Sequence, residues 1–306
     1  MGAAHTHGHS HGTATGTHRN RLLGVLAITL SVMVAEVIGG LISGSLALLA
    51  DAGHMLTDAA GVGLALLAAA FAARPTTPER TFGYMRLEIL AAVINALLLF
   101  GVAGFVLIEA VRRFQDPPEL STGVMLAVAA VGLVANAGSL LLLRSGQHAS
   151  LNVRGAYLEV LGDLLGSVAV IVAAIVIRLT GFTQADAIAS AAIGLMILPR
   201  TWVLLREAVG VLLEATPKGV DLAQVRQHIN DTPGVLDVHD LHAWTITSGL
   251  PVLSAHIVIT EEALAGGGGR VLDQLGECLS GHFDVEHCTF QLEAPGHRDH
   301  ELSHHA

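Results

Sequence analysis

Six long apolar stretches constrain the fold of this chain more than any other feature of its sequence. Each is close to the ~20 residues that an α-helix needs to cross ~30 Å of hydrocarbon. They cover residues 22–44, 46–71, 87–111, 122–143, 156–179 and 187–205. Because lipid offers the backbone no hydrogen bonds, these stretches predict a polytopic α-helical membrane protein with six transmembrane helices.

The overall composition agrees with a membrane protein. The 306 residues are 52% hydrophobic and only 14% charged, which is too apolar for one soluble domain of this length. A net charge of -10 argues against nucleic acid as a partner. Most arginines and lysines at the helix ends fall on the side of the N-terminus. Both termini are therefore predicted to be cytoplasmic.

The sequence changes character after about residue 214. Residues 218–235 and 270–283 have the pattern of amphipathic helices, whereas 236–249 and 250–260 alternate like a β-hairpin and 287–293 like a third strand. This predicts a small α+β domain. The domain boundaries are a His-rich disordered tail at 1–20, the transmembrane domain at 21–213, the α+β domain at 214–295 and a second His-containing tail at 296–306.

Two apolar stretches carry paired ionisable residues. His54 and Asp58 are four residues apart, as are Glu159 and Asp163, so each pair lies on one helix face. Charge in the bilayer core costs about 2.5–3.5 kcal/mol per residue. His54 and Asp58 lie about 12–18 Å along their helix, near the middle of the membrane, so an antiparallel helix that carries the second pair would present four ligands at a similar depth. We interpret the four as a binding site; structural polar contacts between helices are the alternative.

The residue types indicate the ligand. One imidazole and three carboxylates, without a thiolate, suit a tetrahedral divalent ion, first Zn²⁺ and then Co²⁺, Fe²⁺ or Mn²⁺. Protons compete with a metal ion for such ligands, so binding would release protons. This predicts exchange of metal for protons. Asp51 lies one turn before His54 and is interpreted as a proton relay or gate, or else as a helix–helix hydrogen bond.

Other polar residues in the apolar stretches are interpreted as structural. Glu36, Asn95 and Asn136 are expected to make hydrogen bonds between helices. Arg86 and Glu88, at the predicted start of the third helix, are expected to belong to an ion-pair network.

Four stretches of the sequence form a distinctive series. They read "SLALLADAGHMLTDAAG", "FGYMRLEILAAVINALLL", "NVRGAYLEVLGDLLGSVAVIVAA" and "VLDVHDLHAWTITSG". In order and spacing they resemble the cation diffusion facilitator family of metal/proton antiporters, most closely its zinc-transporting branch, and the likeness covers nearly the whole chain. The resemblance implies a site with one His and one Asp from each of two helices, a pattern that His54, Asp58 and Asp163 match.

Position 159 departs from this pattern, since the branch usually has His where this chain has Glu159. Glutamate is a zinc ligand, but it is harder than imidazole and removes a group that titrates near neutral pH. The hypothesis is that Glu159 widens the preference toward Mn²⁺, Fe²⁺ or Co²⁺ and itself carries the exchanged proton.

The resemblance also implies that the C-terminal domain is ferredoxin-like, dimerises and binds metal. The candidate ligands there are His239, His256, His287 and Glu293, and Gln291, a weak ligand, argues against a full binuclear site. In the N-terminal tail, His5, His7, His9 and His11 are interpreted as a weak metal-binding segment that raises the local metal concentration, with plain disorder as the alternative.

Taken together, the residues and the resemblance predict a homodimeric transporter in the bacterial inner (plasma) membrane, not an enzyme. It is expected to export a divalent metal, with Zn²⁺ as the first candidate, in exchange for protons by alternating access. A Mn²⁺, Fe²⁺ or Co²⁺ exporter of the same fold is one alternative. A membrane metal sensor that binds ions without moving them is the other.

Overall fold

A computed structural model describes residues 14–144, 151–283, 285 and 287–297 of the chain. Six long helices come first along these residues: α1 (Ala14–Ser43), α2 (Leu46–Ala72), α3 (Leu87–Gln115), α4 (Thr122–Leu143), α5 (Leu151–Thr180) and α6 (Gln184–Leu212). The remaining elements are α7 (Leu222–Asn230), β1 (Val235–Thr245), β2 (Pro251–Ile259), α8 (Glu261–Ala265), α9 (Gly269–Phe283) and β3 (His287–Glu293).

The prediction of six transmembrane helices is confirmed. All six of the long helices are apolar and long enough to cross a membrane. Three of these helices are longer than the apolar stretches from which they were predicted. Helix α1 begins at Ala14, α5 begins at Leu151, and α6 continues to Leu212. Helical hydrogen bonding satisfies the backbone in polar surroundings as well as in lipid, so a helix need not end where its apolar residues do.

The chain divides into two compact units, and the division cuts through α2, α3 and α6. One unit comprises Met1–Val62 and Asn95–Trp202. Its core consists largely of small and aliphatic side chains, among them Ala47, Leu48 and Ala129, each fully buried. Glycines bring its helices together: a Cβ added at Gly40 would lie 2.8 Å from the Leu49 side chain. Such close approach is typical of helix packing in membranes.

A buried carboxylate fixes the start of α2 within this unit. Asp186, at the start of α6, is 2% exposed. Ser45 Oγ donates to its Oδ1 at 2.5 Å, and the Leu46 N–H donates to its Oδ2 at 2.8 Å. The Ala47 N–H adds a longer bond of 3.3 Å. An acidic residue from another helix therefore satisfies the free N–H groups of α2 and complements its dipole.

The other unit comprises Gly63–Ile94 and Val203–Ala306 and contains the α+β domain. The predicted hairpin and third strand are confirmed: β1 pairs with β2 antiparallel, and β2 pairs with β3 parallel. Asp221 caps α7 by accepting hydrogen bonds from the N–H groups of Ala223 and Gln224. The apolar faces of α7 and α9 bury residues such as Ile229 and Leu275 against the sheet. The short α8 was not predicted from the sequence.

Two contacts in this second unit involve the start of α3. Arg86 Nη2 lies 2.8 Å from Glu214 Oε1, so the predicted ion pair of Arg86 is confirmed. Glu88 instead accepts a hydrogen bond from the hydroxyl of Thr247, which follows β1.

Candidate metal sites

The first candidate site begins with two side chains on α2. His54 Nε2 lies 3.4 Å from Asp58 Oδ2, as the spacing of four residues predicted. The two side chains are only 11% and 16% exposed. Beside them, Thr57 Oγ1 donates to the His54 backbone carbonyl at 2.8 Å. A pair of ligands is thus presented on one buried helix face.

The structure brings α5 to this face of α2. The carboxyl groups of Asp58 and Glu159 lie close enough for each to act on the other. Asp163, 2% exposed, lies within electrostatic range of both. We call these four residues, His54, Asp58, Glu159 and Asp163, the α2–α5 site. It contains one imidazole and three carboxylates, a donor set that suits a divalent cation.

An arginine that the sequence did not assign to a site faces Glu159. Arg200 Nη2, on α6, lies 3.7 Å from Glu159 Oε2. Its charge also acts on Asp58 and Asp163. From the sequence, Arg200 was one of the arginines near helix ends that predicted the orientation of the chain. Its position inside the predicted sixth apolar stretch was the signal that could have marked it.

Asp51 is buried on α2, with 2% of its surface exposed. Its carboxylate lies against α5, where a Cβ added at Gly166 would be 2.7 Å from Oδ1. No hydrogen-bond partner for Oδ2 lies among the described residues. The same holds for both carboxylate oxygens of Glu36 and both amide atoms of Asn136. The structural hydrogen bonds predicted for Glu36 and Asn136 are therefore wrong within the described part of the chain.

The second candidate site lies on the sheet of the α+β domain. His239 and His256 are cross-strand partners on β1 and β2. Glu293, on β3, is 3% exposed, and its Oε1 lies 2.9 Å from His256 Nδ1. His239 Nε2 is 3.4 Å from the other oxygen of Glu293. We call these three residues the sheet site.

The sheet site is more compact than the α2–α5 site. Its three ligand atoms lie within 4.8 Å of one another, and among the described residues it is the one group of three or more His, Cys, Asp or Glu side chains that does so. A single ion bound by all four residues of the α2–α5 site therefore requires their side chains to move inward.

The neighbours of the sheet site have unusual geometry. Asp240 has a left-handed φ of 48°, which is uncommon for a residue other than Gly. The register of β1 shifts between His239 and His242 at this point. As a result the Asp240 carboxylate reaches His242 at 2.9 Å and His256 at 3.8 Å. Gln291 donates to Glu293 at 2.9 Å, so it orients one ligand of the site.

The remaining predicted metal ligands are His287 and the four histidines of the N-terminal tail. His287 lies outside the sheet site, and its ring makes an edge contact with Phe82, with centroids 5.7 Å apart. The tail histidines His5, His7, His9 and His11 lie outside the described residues.

Six membrane-capable helices with a buried acid–imidazole site, followed by a small α+β domain, define a membrane transporter of metal cations. The cation efflux transmembrane domain family matches residues 22–213, and the cation efflux protein cytoplasmic domain family matches residues 217–295. The chain belongs to the cation efflux family, as the resemblance predicted. It is a multi-pass membrane transporter that exports cations, and it is not an enzyme.

Bacterial relatives match over almost their full length. The chain is 48% identical to the metal cation efflux system protein CzcD of Cupriavidus metallidurans, over 96% of this chain and 90% of that protein. It is 42% identical to the zinc transporter ZitB of Escherichia coli, over 96% of this chain and 93% of that protein. It is 38% identical to the cadmium, cobalt and zinc/H(+)-K(+) antiporter of Bacillus subtilis, over 90% of this chain and 89% of that protein.

Proposed function

We propose that this protein exports Zn²⁺ across the bacterial inner membrane in exchange for protons, by alternating access. The placement of Asp58 beside Glu159 is the observation that carries the proposal, because it brings together two carboxylates from different helices inside the membrane-spanning unit. Two such groups are costly to bury unless a cation or a proton accompanies them. Zinc is favoured by the imidazole of His54 and by the relatives named as zinc transporters.

The residues of the α2–α5 site have separate roles in this proposal. His54, Asp58 and Asp163 bind the ion directly. Glu159 binds it as the fourth ligand once its carboxylate leaves Arg200, 3.7 Å away. Protons replace the metal on these ligands after release, which makes metal movement and proton movement opposite in direction. Exposure of the site to one side of the membrane at a time couples the two flows.

A Mn²⁺, Fe²⁺ or Co²⁺ exporter is the second candidate, and one observation favours it. Three of the four ligands in the α2–α5 site are carboxylates. Carboxylate oxygens suit Mn²⁺ better than imidazole does, so the ratio of the transported metals is expected to depend on position 159.

The sheet site is proposed to hold a regulatory metal ion. Its donors, two imidazoles and one carboxylate, fit Zn²⁺, and Glu293 is a buried acid that a cation would balance. A bound ion would join all three strands. We further propose that the chain works as a homodimer with both termini in the cytoplasm, which the family of the C-terminal domain and the distribution of arginine support. The tail histidines then add weak metal binding on the cytoplasmic side.

The test is metal flux and internal pH in proteoliposomes that contain the purified protein. The flux is measured for Zn²⁺, Mn²⁺, Fe²⁺, Co²⁺ and Cd²⁺ with the unchanged chain and with Asp163→Ala. Asp116→Ala, which makes the same substitution at an exposed aspartate, is the control. We expect Zn²⁺ flux with opposite proton movement that is lost in Asp163→Ala and kept in Asp116→Ala. Metal binding without flux of any ion would contradict the proposal and support the sensor.

A further inference from the structure

A set of buried oxygen atoms lies apart from the four ligands of the α2–α5 site. It comprises Glu36 on α1, Asp51 on α2 and Ser167 on α5, and we call it the oxygen cluster. These residues are 0%, 2% and 1% exposed. Both carboxylate oxygens of Glu36, Oδ2 of Asp51 and Oγ of Ser167 have no hydrogen-bond partner among the described residues. A buried polar group without a partner costs about 1–3 kcal/mol.

Two glycines leave room for these oxygens. A Cβ added at Gly132, on α4, would lie 3.1 Å from Glu36 Oε1 and 3.1 Å from Ser167 Oγ. Both oxygens therefore face one point beside α4. A Cβ added at Gly166 would lie 2.7 Å and 2.8 Å from the two oxygens of Asp51. Any larger residue at either position would meet an oxygen of the cluster.

Asp163 connects the oxygen cluster to the α2–α5 site. Its charge interacts with those of Asp58 and Glu159 and also with those of Asp51 and Glu36. Glu36 and Asp51 lie about 8–11 Å along their helices from the turn between α1 and α2, whereas Asp58 lies about 18 Å from it. The cluster is thus nearer that turn, which the proposed topology places on the outer side.

We propose that Glu36, Asp51 and Ser167 form a second, all-oxygen cation site, through which the divalent ion passes after leaving the α2–α5 site. The inference rests on the proposed transport function. Two carboxylates balance the charge of a divalent ion, and the hydroxyl adds a third oxygen. Without an imidazole, the site binds Zn²⁺ more weakly than the α2–α5 site does. Weak binding at a second site lets an ion continue outward.

A steric test uses two glycines of the same helix. Gly132→Ala places a methyl group between Glu36 and Ser167, whereas a Cβ at Gly138 has open space around it. Zn²⁺ flux into proteoliposomes should fall at least tenfold in Gly132→Ala and stay within twofold of the unchanged chain in Gly138→Ala. Equal flux in the two variants would overturn the proposal.

A charge test separates a cation site from a packing contact. Glu36→Gln keeps the shape and hydrogen-bonding capacity of the side chain but removes its charge, and Glu36→Asp restores the charge on a shorter stem. We expect Glu36→Gln to lose at least tenfold in flux while its thermal unfolding temperature stays unchanged, and Glu36→Asp to recover part of the flux. A structural role predicts instead that Glu36→Gln transports normally or unfolds earlier.

Equilibrium binding shows whether the cluster itself holds metal. Cd²⁺ is titrated into full-length chains that carry Asp58→Asn, to weaken the α2–α5 site, and His256→Ala with Glu293→Gln, to remove the sheet site. A weak binding component should remain and should disappear when Glu36→Gln is added. Absence of that component, or its survival in Glu36→Gln, would overturn the proposal. Failure of transport in the unchanged chain would instead contradict the proposed function.

Discussion

Arg200 and Glu159 face each other from α6 and α5, with Nη2 and Oε2 3.7 Å apart. A permanent cation thus lies beside one proposed metal ligand. With Zn²⁺ bound, three carboxylates leave the α2–α5 site with one excess negative charge, and the guanidinium cancels it. The same guanidinium competes with the metal for Glu159. Arg200 is therefore expected to position Glu159 and to weaken metal binding enough for release.

Arg200→Gln should bind Zn²⁺ about tenfold more tightly, equivalent to about 1.4 kcal/mol, because a repelling charge is removed. Maximal flux should fall, since release becomes slower. Competition with a fluorescent zinc indicator gives the affinity, and proteoliposome assays give the KM and maximal rate. Arg206→Gln, which changes an exposed arginine of the same helix, is the control. Weaker Zn²⁺ binding in Arg200→Gln would show that the arginine supports the site rather than competing for it.

Glu159→His should shift selectivity toward Zn²⁺. The change replaces a hard oxygen donor by an imidazole and also removes the partner of Arg200. The ratio of Zn²⁺ to Mn²⁺ flux should rise about tenfold, measured in the same liposome preparation. In this background Arg200→Gln should have much less effect on Zn²⁺ affinity than in the unchanged chain. Additive effects of the two changes would mean that the residues act independently.

Loss of the sheet site should remove metal-dependent stabilisation of the α+β domain. Zn²⁺ at 100 times its Kd adds about 2.7 kcal/mol to a folded state that alone binds it. Thermal unfolding is measured with and without Zn²⁺. The unchanged chain should be stabilised by Zn²⁺, whereas His256→Ala and Glu293→Gln should not be. His287→Ala should keep this stabilisation, because His287 lies outside the site. Equal loss in His287→Ala would place that residue among the ligands.

Asp186→Asn should destabilise the start of α2. The change removes the charge that faces three donors at the end of the helix. The expected loss is about 1–2 kcal/mol, the usual value of a helix cap. Thermal unfolding of the detergent-solubilised chain measures it, with Asp116→Asn as an exposed control. Equal unfolding temperatures for the two variants would show that Asp186 does not cap the helix.

Burial should make Cys288 slow to react. It raises the pKa of the Cys288 thiol from 9.0 to about 11, so almost none of the reactive thiolate is present at pH 8. Burial also raises the pKa of Cys278. Labelling by N-ethylmaleimide, followed by mass spectrometry, should be at least tenfold slower at Cys288 than in the denatured chain. Its rate should keep rising with pH beyond 9 and level off near 11. A plateau at pH 9 would mean that Cys288 is open to solvent.

Local pattern was enough to predict the helices and to name the four residues of the α2–α5 site as candidates. The hydrophobic stretches placed α2 and α4 nearly to the residue, because the apolar length needed to cross a bilayer is fixed. The spacing of His54 and Asp58 placed both on one face, since a helix repeats every 3.6 residues. The spacing of Glu159 and Asp163 did the same for the partner helix α5, and the family resemblance, carried by extended motifs, supported this pairing and the order of the whole chain.

Only the tertiary structure decided which distant residues meet. In the α+β domain His287 and Glu293 lie on the same side of β3 but are about 20 Å apart along the strand, so one joins the sheet site and the other does not. The register that pairs His239 with His256 selects the site. Likewise Arg200 meets Glu159, and Glu36 shares the space beside Gly132 with Ser167, only because separate helices pack together. Periodicity fixes the face on which a residue lies, whereas its neighbours across the fold depend on packing between segments far apart in sequence.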